Sequence, residues 1–405
     1  MNTHKRLLIM PAGLVQVHII RTAVELGYYV ITCDNNPNNP GHKYAHEHYN
    51  ISTTDKHGIF KLASTLNIDG IVNYASDVSA PTAAYVAEKL NLPTSPYKSV
   101  EILTKKDLFR EFLVQNGFNA PKSKSYKCIQ DVLDDKKFFS LPVMIKPVDS
   151  AGTKGVNKLY DWSQLDEFIK EALDFSIDKR FIIEEFIEKK GYQISGDAFS
   201  VDGKLIFYSF GCEYYSNTMK KDFCPLGEFW PFAMDEKYIT MLASELQRLM
   251  QLLDMKTTEY NVEAIIDKDD NLYLLEVAAR AGGSLIPQMI KYSTGIDTLP
   301  WIIKSAAGDP FEYKSVKNIK KSNKCFANHM LHSNKSGKYV GISFDKEFEK
   351  NNLLYYECNV KKGDYLNEFR DAQDGIGEMI MKFDSMEQMN DMLPEIDKYV
   401  YVEVE

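Results

Sequence analysis

Short apolar strands alternate with helical segments along the first hundred residues, and this alternation constrains the fold more than any other feature. Apolar runs at 7–10, 28–33 and 70–74 have the length and composition of strands. Apolar residues recur at helical spacing in the segments between and after them, at 15–26, 59–66 and 80–90. Strands that are apolar along their whole length and separated by helices favour a parallel sheet covered on both faces. The sequence therefore predicts an N-terminal α/β domain.

Small or polar residues follow these predicted strands. Parallel sheets bind their ligands at the carboxyl ends of strands, and here those ends carry Gly13, Asp34, Ser76 and Asp77. We expect part of a substrate site at these four residues. The alternative is that they form ordinary turns between strand and helix, and both interpretations stay open at this point.

The rest of the chain is typical of an α+β arrangement. A helical segment at 103–116 ends at Gly117, and the turn Asp202-Gly203-Lys204 predicts a hairpin. The polar segment 267–271 separates two further strands that we expect to pair antiparallel. Because a single core rarely grows beyond about 250–300 residues, a chain of 405 residues is expected to form two or three lobes.

Two carboxylates occupy the hairpin predicted at 260–277. Glu263 lies near the centre of one strand and Glu276 near the end of the next, each beside apolar residues. A lone buried charge is costly unless it is paired or bound to a metal, and hairpin pairing brings these two together. Mg²⁺ binds carboxylate oxygens together with phosphate oxygens. We therefore expect Glu263 and Glu276 to hold Mg²⁺ (or Mn²⁺) against nucleotide phosphates.

An arginine and a double glycine follow Glu276. Arg280 has the geometry to clamp a phosphoryl or carboxylate group bidentately. Gly282 and Gly283 allow backbone amides to approach an anionic substrate closely. The alternative is an arginine–glutamate ion pair followed by a turn.

A lysine and a glycine-containing loop come earlier in the chain. Lys146 lies at the end of an apolar strand, and the loop 150–155 combines glycines, hydroxyls and a lysine, which is the composition of a phosphate-binding flap. Neither GxxxxGK[ST] nor GxGxxG occurs in the chain. A P-loop and a dinucleotide fingerprint are therefore both excluded as the source of phosphate binding.

Taken in order, these elements resemble the ATP-grasp superfamily over roughly residues 5–310. The matching stretches are 104–110 with Gly117 and Pro121, 143–147 with its glycine loop, 182–187, 261–263 and 275–283. The resemblance is nearest to the group that holds phosphoribosylglycinamide synthetase, biotin carboxylase, carbamoyl-phosphate synthetase and the amino-acid ligases. It implies a parallel-sheet, Rossmann-like pre-ATP-grasp domain (1–104), a small lobe with a phosphate lid (105–192), a large lobe with a metal site (193–310) and a C-terminal lobe (311–405).

The resemblance also implies roles for the matching residues. Those assigned to ATP are Lys106 and Lys146 on the phosphates, Ser150, Gly152, Thr153, Lys154 and Gly155 in the lid, Glu184 at the adenine amino group, the backbone of Glu185 and Ile187 at the adenine edge, and Glu188 at the ribose. Glu263 and Glu276 would bind Mg²⁺. Arg280, together with Lys146, would act in catalysis by steadying an acyl phosphate or the incoming carboxylate.

The chain departs from the family pattern at three positions. Ala278 stands where the family usually has an asparagine metal ligand, Ala279 where it often has a proline, and Gln193 where it often has a glutamate. The resemblance implies an ADP-forming carboxylate–amine ligase acting through an acyl phosphate, with a phosphoribosylglycinamide synthetase-like enzyme among the candidates. Ala278 leaves open a nucleotide-binding protein that has lost catalysis. A dinucleotide-binding oxidoreductase is a third hypothesis, suggested by the first domain and opposed by the missing glycine fingerprint.

Charge and composition bear on partners and compartment. The formal net charge of −9 opposes non-specific nucleic-acid binding, and no apolar run approaches the ~20 residues of a membrane-spanning helix. We expect a cytoplasmic protein that acts on a small-molecule carboxylate and amine, with a homodimer as a possible assembly. His42, His46 and His48 favour a solvated loop over a metal site. The segment 219–223 is interpreted either as a wall of the acceptor pocket or as a surface loop.

Overall fold

The N-terminal domain contains the predicted parallel sheet. The computed structural model describes residues 4–215, 224–313 and 322–405. The first elements are β1 (Arg6–Met10), α1 (Val17–Glu25), β2 (Tyr29–Cys33), β3 (Glu47–Tyr49), α2 (Lys56–Leu66), β4 (Gly70–Asn73), α3 (Ala80–Lys89) and α4 (Tyr97–Thr104). The strands run parallel in the order β3-β2-β1-β4. Helices cover both faces, so that Leu7 and Leu8, which point to opposite sides of β1, are both fully buried. The α/β prediction is confirmed.

The segment predicted as one helix over 103–116 forms two. Helix α4 ends at Thr104, and α5 (Lys106–Gln115) begins after Lys105, whose backbone is extended with φ −97° and ψ 115°. The amide of Lys106 donates to the carbonyl of Val148, 2.8 Å away. The prediction of a single helix is therefore wrong, because a tertiary hydrogen bond replaces one helical bond and holds Lys106 against the loop that follows residue 147.

The small lobe is an antiparallel sheet packed on one helix. Its elements are β5 (Ser123–Tyr126), α6 (Ile129–Asp135), β6 (Val143–Pro147), β7 (Asn157–Leu159), α7 (Leu165–Phe175) and β8 (Phe181–Glu185), with strand order β5-β8-β6-β7. Leu165 and Ile169 of α7 pack on Val143 and Ile145 of the sheet. This packing holds β6 and β8 in place, and Lys146 and Glu184 are the penultimate residues of those two strands.

The large lobe and the C-terminal lobe share one eight-stranded sheet. The elements are β9 (Ile194–Val201), β10 (Lys204–Tyr215), β11 (Pro225–Trp230), α8 (Glu236–Leu252), β12 (Thr258–Ile266), β13 (Leu272–Ala278), α9 (Ile286–Thr294), α10 (Leu299–Ala306), β14 (Cys325–Leu331), β15 (Gly337–Phe344), α11 (Lys346–Asn351), β16 (Leu353–Cys358), β17 (Tyr365–Leu366), β18 (Gly377–Phe383), α12 (Met386–Met392) and β19 (Val400–Val404). The strand order is β13-β12-β9-β10-β11-β14-β18-β16, and a small sheet β17-β15-β19 lies beside it. The large sheet therefore continues across the boundary predicted between residues 310 and 311.

The two faces of β12 have opposite characters. Tyr260 and Val262 face α8 and pack on Leu242 and Leu246, whereas Glu263 lies on the other face, because side chains alternate along a strand. Both predicted hairpins, β9–β10 and β12–β13, are present. The apolar face fixes the register, since a slip of one residue would bury the charged face. Within the described parts of the chain, no helix has the length and apolar character needed to cross a membrane.

Candidate active site

A cavity of about 640 Å³ lies where the N-terminal domain, the small lobe and the eight-stranded sheet meet. Its size is typical of small-molecule sites. The residues that line it come from the segments after β4 and β13, the start of α5, the strands β6 and β8 with the loops that follow them, and the charged face of the large sheet. The sheet presents carboxylates to this space, and the small lobe presents lysines.

Glu263 and Glu276 lie directly opposite each other at the wall of the cavity. They are register partners on β12 and β13, beside a β-bulge that follows Glu263. Opposed side chains in antiparallel strands have Cβ atoms about 4.5–5.5 Å apart. Burial, followed by the charges of Glu213 and Glu276, raises the pKa of Glu263 well above its usual value. A cation between the two carboxylates would remove this repulsion.

Lys106 is the lysine nearest to this pair. Its Nζ atom lies 3.4 Å from Glu276 Oε2 and donates to the carbonyl of Ser150, 2.9 Å away. Burial lowers the pKa of Lys106, but the charges of Glu276 and Asp77 outweigh this effect and raise it above its usual value. The lysine therefore stays charged and connects the loop after β6 with the carboxylates of the sheet.

A buried ion-pair cluster holds the lysine of β6. Glu184 Oε2 lies 2.6 Å from Lys146 Nζ, and Glu184 Oε1 lies 2.8 Å from Arg110 Nε. Burial raises the pKa of Glu184, but the charges of Arg110 and Lys146 prevail and lower it to about 2. Arg110 also donates to the carbonyl of Leu275, 2.8 Å away. The lysine is thus held through two buried side chains to the strand that carries Glu276.

Arg280 forms a bidentate ion pair with Asp77. The Nε and Nη2 atoms lie 2.8 and 2.7 Å from the two carboxylate oxygens, and Nη1 donates to the carbonyl of Ala281. Burial raises the pKa of Asp77, but the charge of Arg280 lowers it below its usual value. The pair joins the end of β4 in the N-terminal domain to the end of β13. The alternative of an ion pair holds for Arg280, with an aspartate as the partner and not the expected glutamate.

The glycine-containing loop lies over the lysine side of the cavity. Residues 150–154 line the cavity, whereas Gly155 does not and instead contacts α7. With φ +69°, Gly155 adopts a conformation that favours glycine, and a Cβ atom would lie 3.0 Å from Pro147 Cγ and 3.1 Å from the carbonyl oxygen of Glu171. Gly155, the second glycine of the predicted flap, therefore allows the base of the loop to pack against Pro147 and α7.

The structure brings most predicted site residues to the cavity. Those that line it are Lys106, Lys146, Ser150, Gly152, Thr153, Lys154, Glu184, Glu185, Ile187, Glu263, Glu276, Arg280, Asp77 and Gly283. Glu188, Gly155, Gly13, Asp34, Ser76 and Gly282 are not among its lining residues. For Asp34 the structure favours the turn interpretation, because its two oxygens accept from the amides of Ala12 and Asn36, both 2.9 Å away. The amide of Gly282 donates to Asp197 instead of facing the cavity.

Two predicted adenine contacts are changed by protein hydrogen bonds. Both oxygens of Glu184 already pair with cations, and the amide of Glu185 donates to the carbonyl of Lys122. The carboxylate of Glu184 is therefore placed to position Lys146, and the amide of Glu185 is already occupied. Apolar side chains of Met144, Ile265 and Leu275 line the same end of the cavity.

Several polar residues of the cavity had no role in the sequence interpretation. They are Glu213, Tyr215, Glu228 and Glu378. Gln193 donates to Glu213 (2.9 Å) and to Glu263 (3.2 Å), and Tyr215 donates to Glu213. A signal for Glu213 and Glu228 exists in the sequence, because each is a charge inside an apolar or aromatic strand, as Glu263 is.

The donor set around Glu263 fits a divalent cation shared with phosphate. In residues 4–215, 224–313 and 322–405, no group of three or more His, Cys, Asp or Glu side chains is arranged to hold a metal alone. Mg²⁺ commonly binds one or two carboxylates and completes its shell with water and phosphate oxygens. The opposed Glu263 and Glu276 meet this requirement. His42 instead contacts Thr32 (2.8 Å); it is buried, so the solvated-loop expectation is wrong for it. The segment 219–223 lies outside the described residues.

Comparison with known proteins identifies the central region. Residues 104–284 match the model of a family described as the ATP-grasp domain. The C-terminal section of the carbamoyl phosphate synthase large chain from Aquifex aeolicus is 22% identical over 270 residues, which cover 65% of this chain and 49% of that protein. The chain thus spans about half the length of this relative.

Two solved structures share the fold over their full length. The L-amino acid ligase from Bacillus licheniformis is 20% identical, with a TM-score of 0.84 and complete coverage of both chains. Phosphoribosylglycinamide synthetase from Anaerococcus prevotii is 21% identical, with a TM-score of 0.76 and complete coverage of both chains. At these identities the likeness establishes the fold, including the domain that precedes residue 104 and the lobe that follows residue 284.

Proposed function

Residues 104–284 belong to the ATP-grasp domain family, and we propose that this protein is an ADP-forming ligase that joins a small-molecule carboxylate to an amine. The observation that carries the proposal is the opposed pair Glu263 and Glu276, with Lys106 3.4 Å from Glu276, at the wall of one cavity. Two carboxylates and a largely buried lysine suit a metal ion that is shared with phosphate groups. A site for an anion alone would not require the carboxylates.

The proposed nucleotide orientation follows from the charges of the cavity. ATP binds with its phosphates between the lysines of the small lobe and the carboxylates of the sheet, and with its base toward Met144 and Leu275. Lys146, held by Glu184 at 2.6 Å, presents a fixed positive charge to the phosphates. The loop 150–154 covers them and excludes water, which would otherwise hydrolyse a reactive acyl intermediate.

The proposed reaction has two steps. The substrate carboxylate attacks the γ-phosphorus of ATP, forming an acyl phosphate as the bond to ADP breaks. The amine then attacks the acyl carbon, a C–N bond forms, and phosphate leaves with the electron pair of the broken C–O bond. Mg²⁺ bound by Glu263 and Glu276 would neutralise phosphate charge. Lys106 and Lys146 stabilise the transferring group, and Arg280 faces the carboxylate side of the cavity.

A nucleotide-binding protein without ligase activity is the second candidate. It is favoured by Ala278, which offers no side-chain oxygen two residues beyond Glu276. Asn261 is the register partner of Ala278 and lines the cavity beside Glu263. An amide is therefore present next to the metal pair although position 278 lacks one, and this supports the ligase as the first candidate.

The test is ADP release with Mg-ATP against a panel of carboxylates and amines, including phosphoribosylamine with glycine. Release that depends on a substrate pair and is abolished in Glu276→Gln supports the ligase and identifies its substrates. ATP binding by calorimetry without release on any pair supports the second candidate. Absence of ATP binding would contradict both.

A further inference from the structure

Acidic side chains form a stepped row across the cavity face of the large sheet. Register partners give three pairs on six strands, from β13 to β16: Glu276–Glu263, Glu213–Glu228 and Glu378–Glu357. Each pair is offset from the next by two residues, which keeps all six side chains on one face. Gln193 donates to both Glu213 and Glu263, and Asn328 donates to Glu228. This row extends well beyond the two carboxylates assigned to the metal.

Among the described residues, Glu276 and Glu357 at the ends of the row each contact a basic side chain, whereas Glu228 and Glu378 contact none. Glu276 lies beside Lys106, and Glu357 contacts His18 (3.2 Å) and accepts from Tyr355 (2.8 Å). Within the described part of the chain, no lysine, arginine or histidine forms an ion pair with Glu228 or Glu378. These two carboxylates line the end of the cavity that is farthest along the row from the metal pair.

The hydrogen bonds of Glu228 and Glu378 leave acceptor capacity unused. Glu228 is 8% exposed, and its Oε2 atom accepts from Asn328 at 2.5 Å. The Oε2 atom of Glu378 is buried and has no hydrogen-bond partner among the described residues. Burial is the first cause that raises the pKa of each carboxyl to about 8. Buried carboxyl groups in this state are stabilised when a hydrogen-bond donor with a positive charge enters.

We propose that Glu228 and Glu378 bind the ammonium group of the ligase substrate that carries an amine. The proposal deepens the proposed function and rests on it, because it concerns the same cavity. An ammonium group has three N–H donors and no acceptor, which matches two carboxylates with unused oxygens. Mg²⁺ is a poorer match, since it requires near-octahedral oxygen ligands and loses its water reluctantly. Leu226 and Met330 line the same end and favour a substituent that is apolar.

The ammonium group has two possible sources in such a reaction. It belongs either to the acceptor amine or to an amino acid whose own carboxylate is activated. Both sources share the chemistry that Glu228 and Glu378 recognise. The probes are therefore the proteinogenic L-amino acids, their amides, which lack the carboxylate, and their N-acetyl derivatives, which lack the ammonium group.

The experiment compares wild type, Glu228→Gln, Glu378→Gln and the control Glu349→Gln, which changes an exposed glutamate of α11. We expect ADP release with ammonium-bearing probes and none when every probe present is N-acetylated. The KM for the amine should rise about tenfold or more in both cavity variants, as expected for the loss of a charged hydrogen bond. The KM for ATP should stay unchanged in these variants, and both KM values should stay unchanged in the control Glu349→Gln. Release with an amide plus a separate carboxylate assigns the ammonium to the acceptor, and release that requires the free amino acid assigns it to the activated molecule.

An unchanged KM for the amine in both cavity variants would overturn the proposal, as would full activity of the N-acetyl derivatives alone. If no probe gives ADP release with wild type, the proposed function fails, and the ammonium site is tested by itself. Calorimetric titration of L-leucinamide into the Mg-ADP-saturated protein then decides. Binding that is lost in Glu228→Gln and kept in Glu349→Gln supports the site, whereas equal binding or no binding to wild type refutes it.

Discussion

Arg110 and Glu184 form an ion pair, 2.8 Å long, in which each side chain is 2% exposed. The pair connects three parts of the site. Glu184 holds Lys146, and Arg110 donates to the carbonyl of Leu275, the residue before Glu276. The lysine of the small lobe and the strand of the large lobe that carries Glu276 are thus joined through two buried side chains.

Replacing Arg110 with methionine should strongly destabilise the protein. The change leaves the carboxylate of Glu184 with Lys146 as its one charged partner, and breaking a buried pair costs about 3–5 kcal/mol. Urea unfolding should therefore show a lower midpoint, and Arg110→Met combined with Glu184→Gln should recover part of the loss. A loss below about 1 kcal/mol in the single variant would mean that the pair contributes little.

Glu263→Gln and Glu276→Gln should each abolish most Mg²⁺-dependent ADP release. Metal stabilisation of the transferring phosphoryl group is worth several kcal/mol, so kcat should fall by about 100-fold or more. The fold should be kept, because glutamine is isosteric and removes the repulsion between the opposed side chains. Release rates measured over a Mg²⁺ titration check this, and a kcat within about twofold of wild type would remove these residues from the metal site.

Asp77→Asn should reduce catalysis while leaving ATP affinity nearly unchanged. Asp77 holds the Arg280 guanidinium through two hydrogen bonds of 2.8 and 2.7 Å. Loss of the charge should let Arg280 shift, and a misplacement of about 1 Å can cost about 100-fold in rate. Steady-state kinetics together with ATP calorimetry separate the two effects. Equal losses in ATP affinity and rate would indicate a general disturbance of the domain contact instead.

The free energy of unfolding should depend on pH through Glu228. The pKa of this carboxyl is about 8 in the folded protein and near its ordinary value when unfolded, so the folded state binds more protons between these values. Stability is therefore fully present below the unfolded pKa and is lost as the pH rises through about 8. Glu228→Gln keeps the neutral form, so the loss of a few kcal/mol of stability expected for wild type between pH 4.5 and 8 should be absent in this variant. Identical slopes, measured without Mg-ATP or amine, would contradict the burial argument.

Introducing asparagine at position 278 should not raise activity. Ala278 is 4% exposed and opposes Asn261 in the register, so a larger side chain meets a filled space and costs about 1–3 kcal/mol. ADP release should stay at or below the wild-type rate. A rise of about tenfold or more would instead favour a site weakened by the loss of a metal ligand.

The parts of the fold that follow from local pattern were predictable. The parallel order of β1, β2 and β4 follows from apolar strands separated by helices, and the opposition of Glu263 and Glu276 follows from a hairpin with a short polar turn. The pairing of these two carboxylates could be predicted for the same reason, since a carboxylate inside an apolar strand requires a partner.

The parts that depend on contacts distant in the sequence were not predictable. The break at Lys105 arises from a hydrogen bond to Val148, and the partner of Arg280 is Asp77, 203 residues away in the chain. No periodicity encodes either contact. The acidic row was missed because Glu213, Glu228 and Glu378 come from three segments that are brought together only by the eight-stranded sheet.

The sheet that the large lobe and the C-terminal lobe share also affects how the chain folds while it is being synthesised. Strand β11 pairs with β14, which a ribosome produces about a hundred residues later, so the nascent large lobe has an open strand edge until that segment emerges. Exposed edges are templates for pairing with other chains. Folding of residues 1–310 on their own would leave this edge uncovered, and a premature stop near residue 310 should therefore yield an aggregating product and not a smaller stable protein.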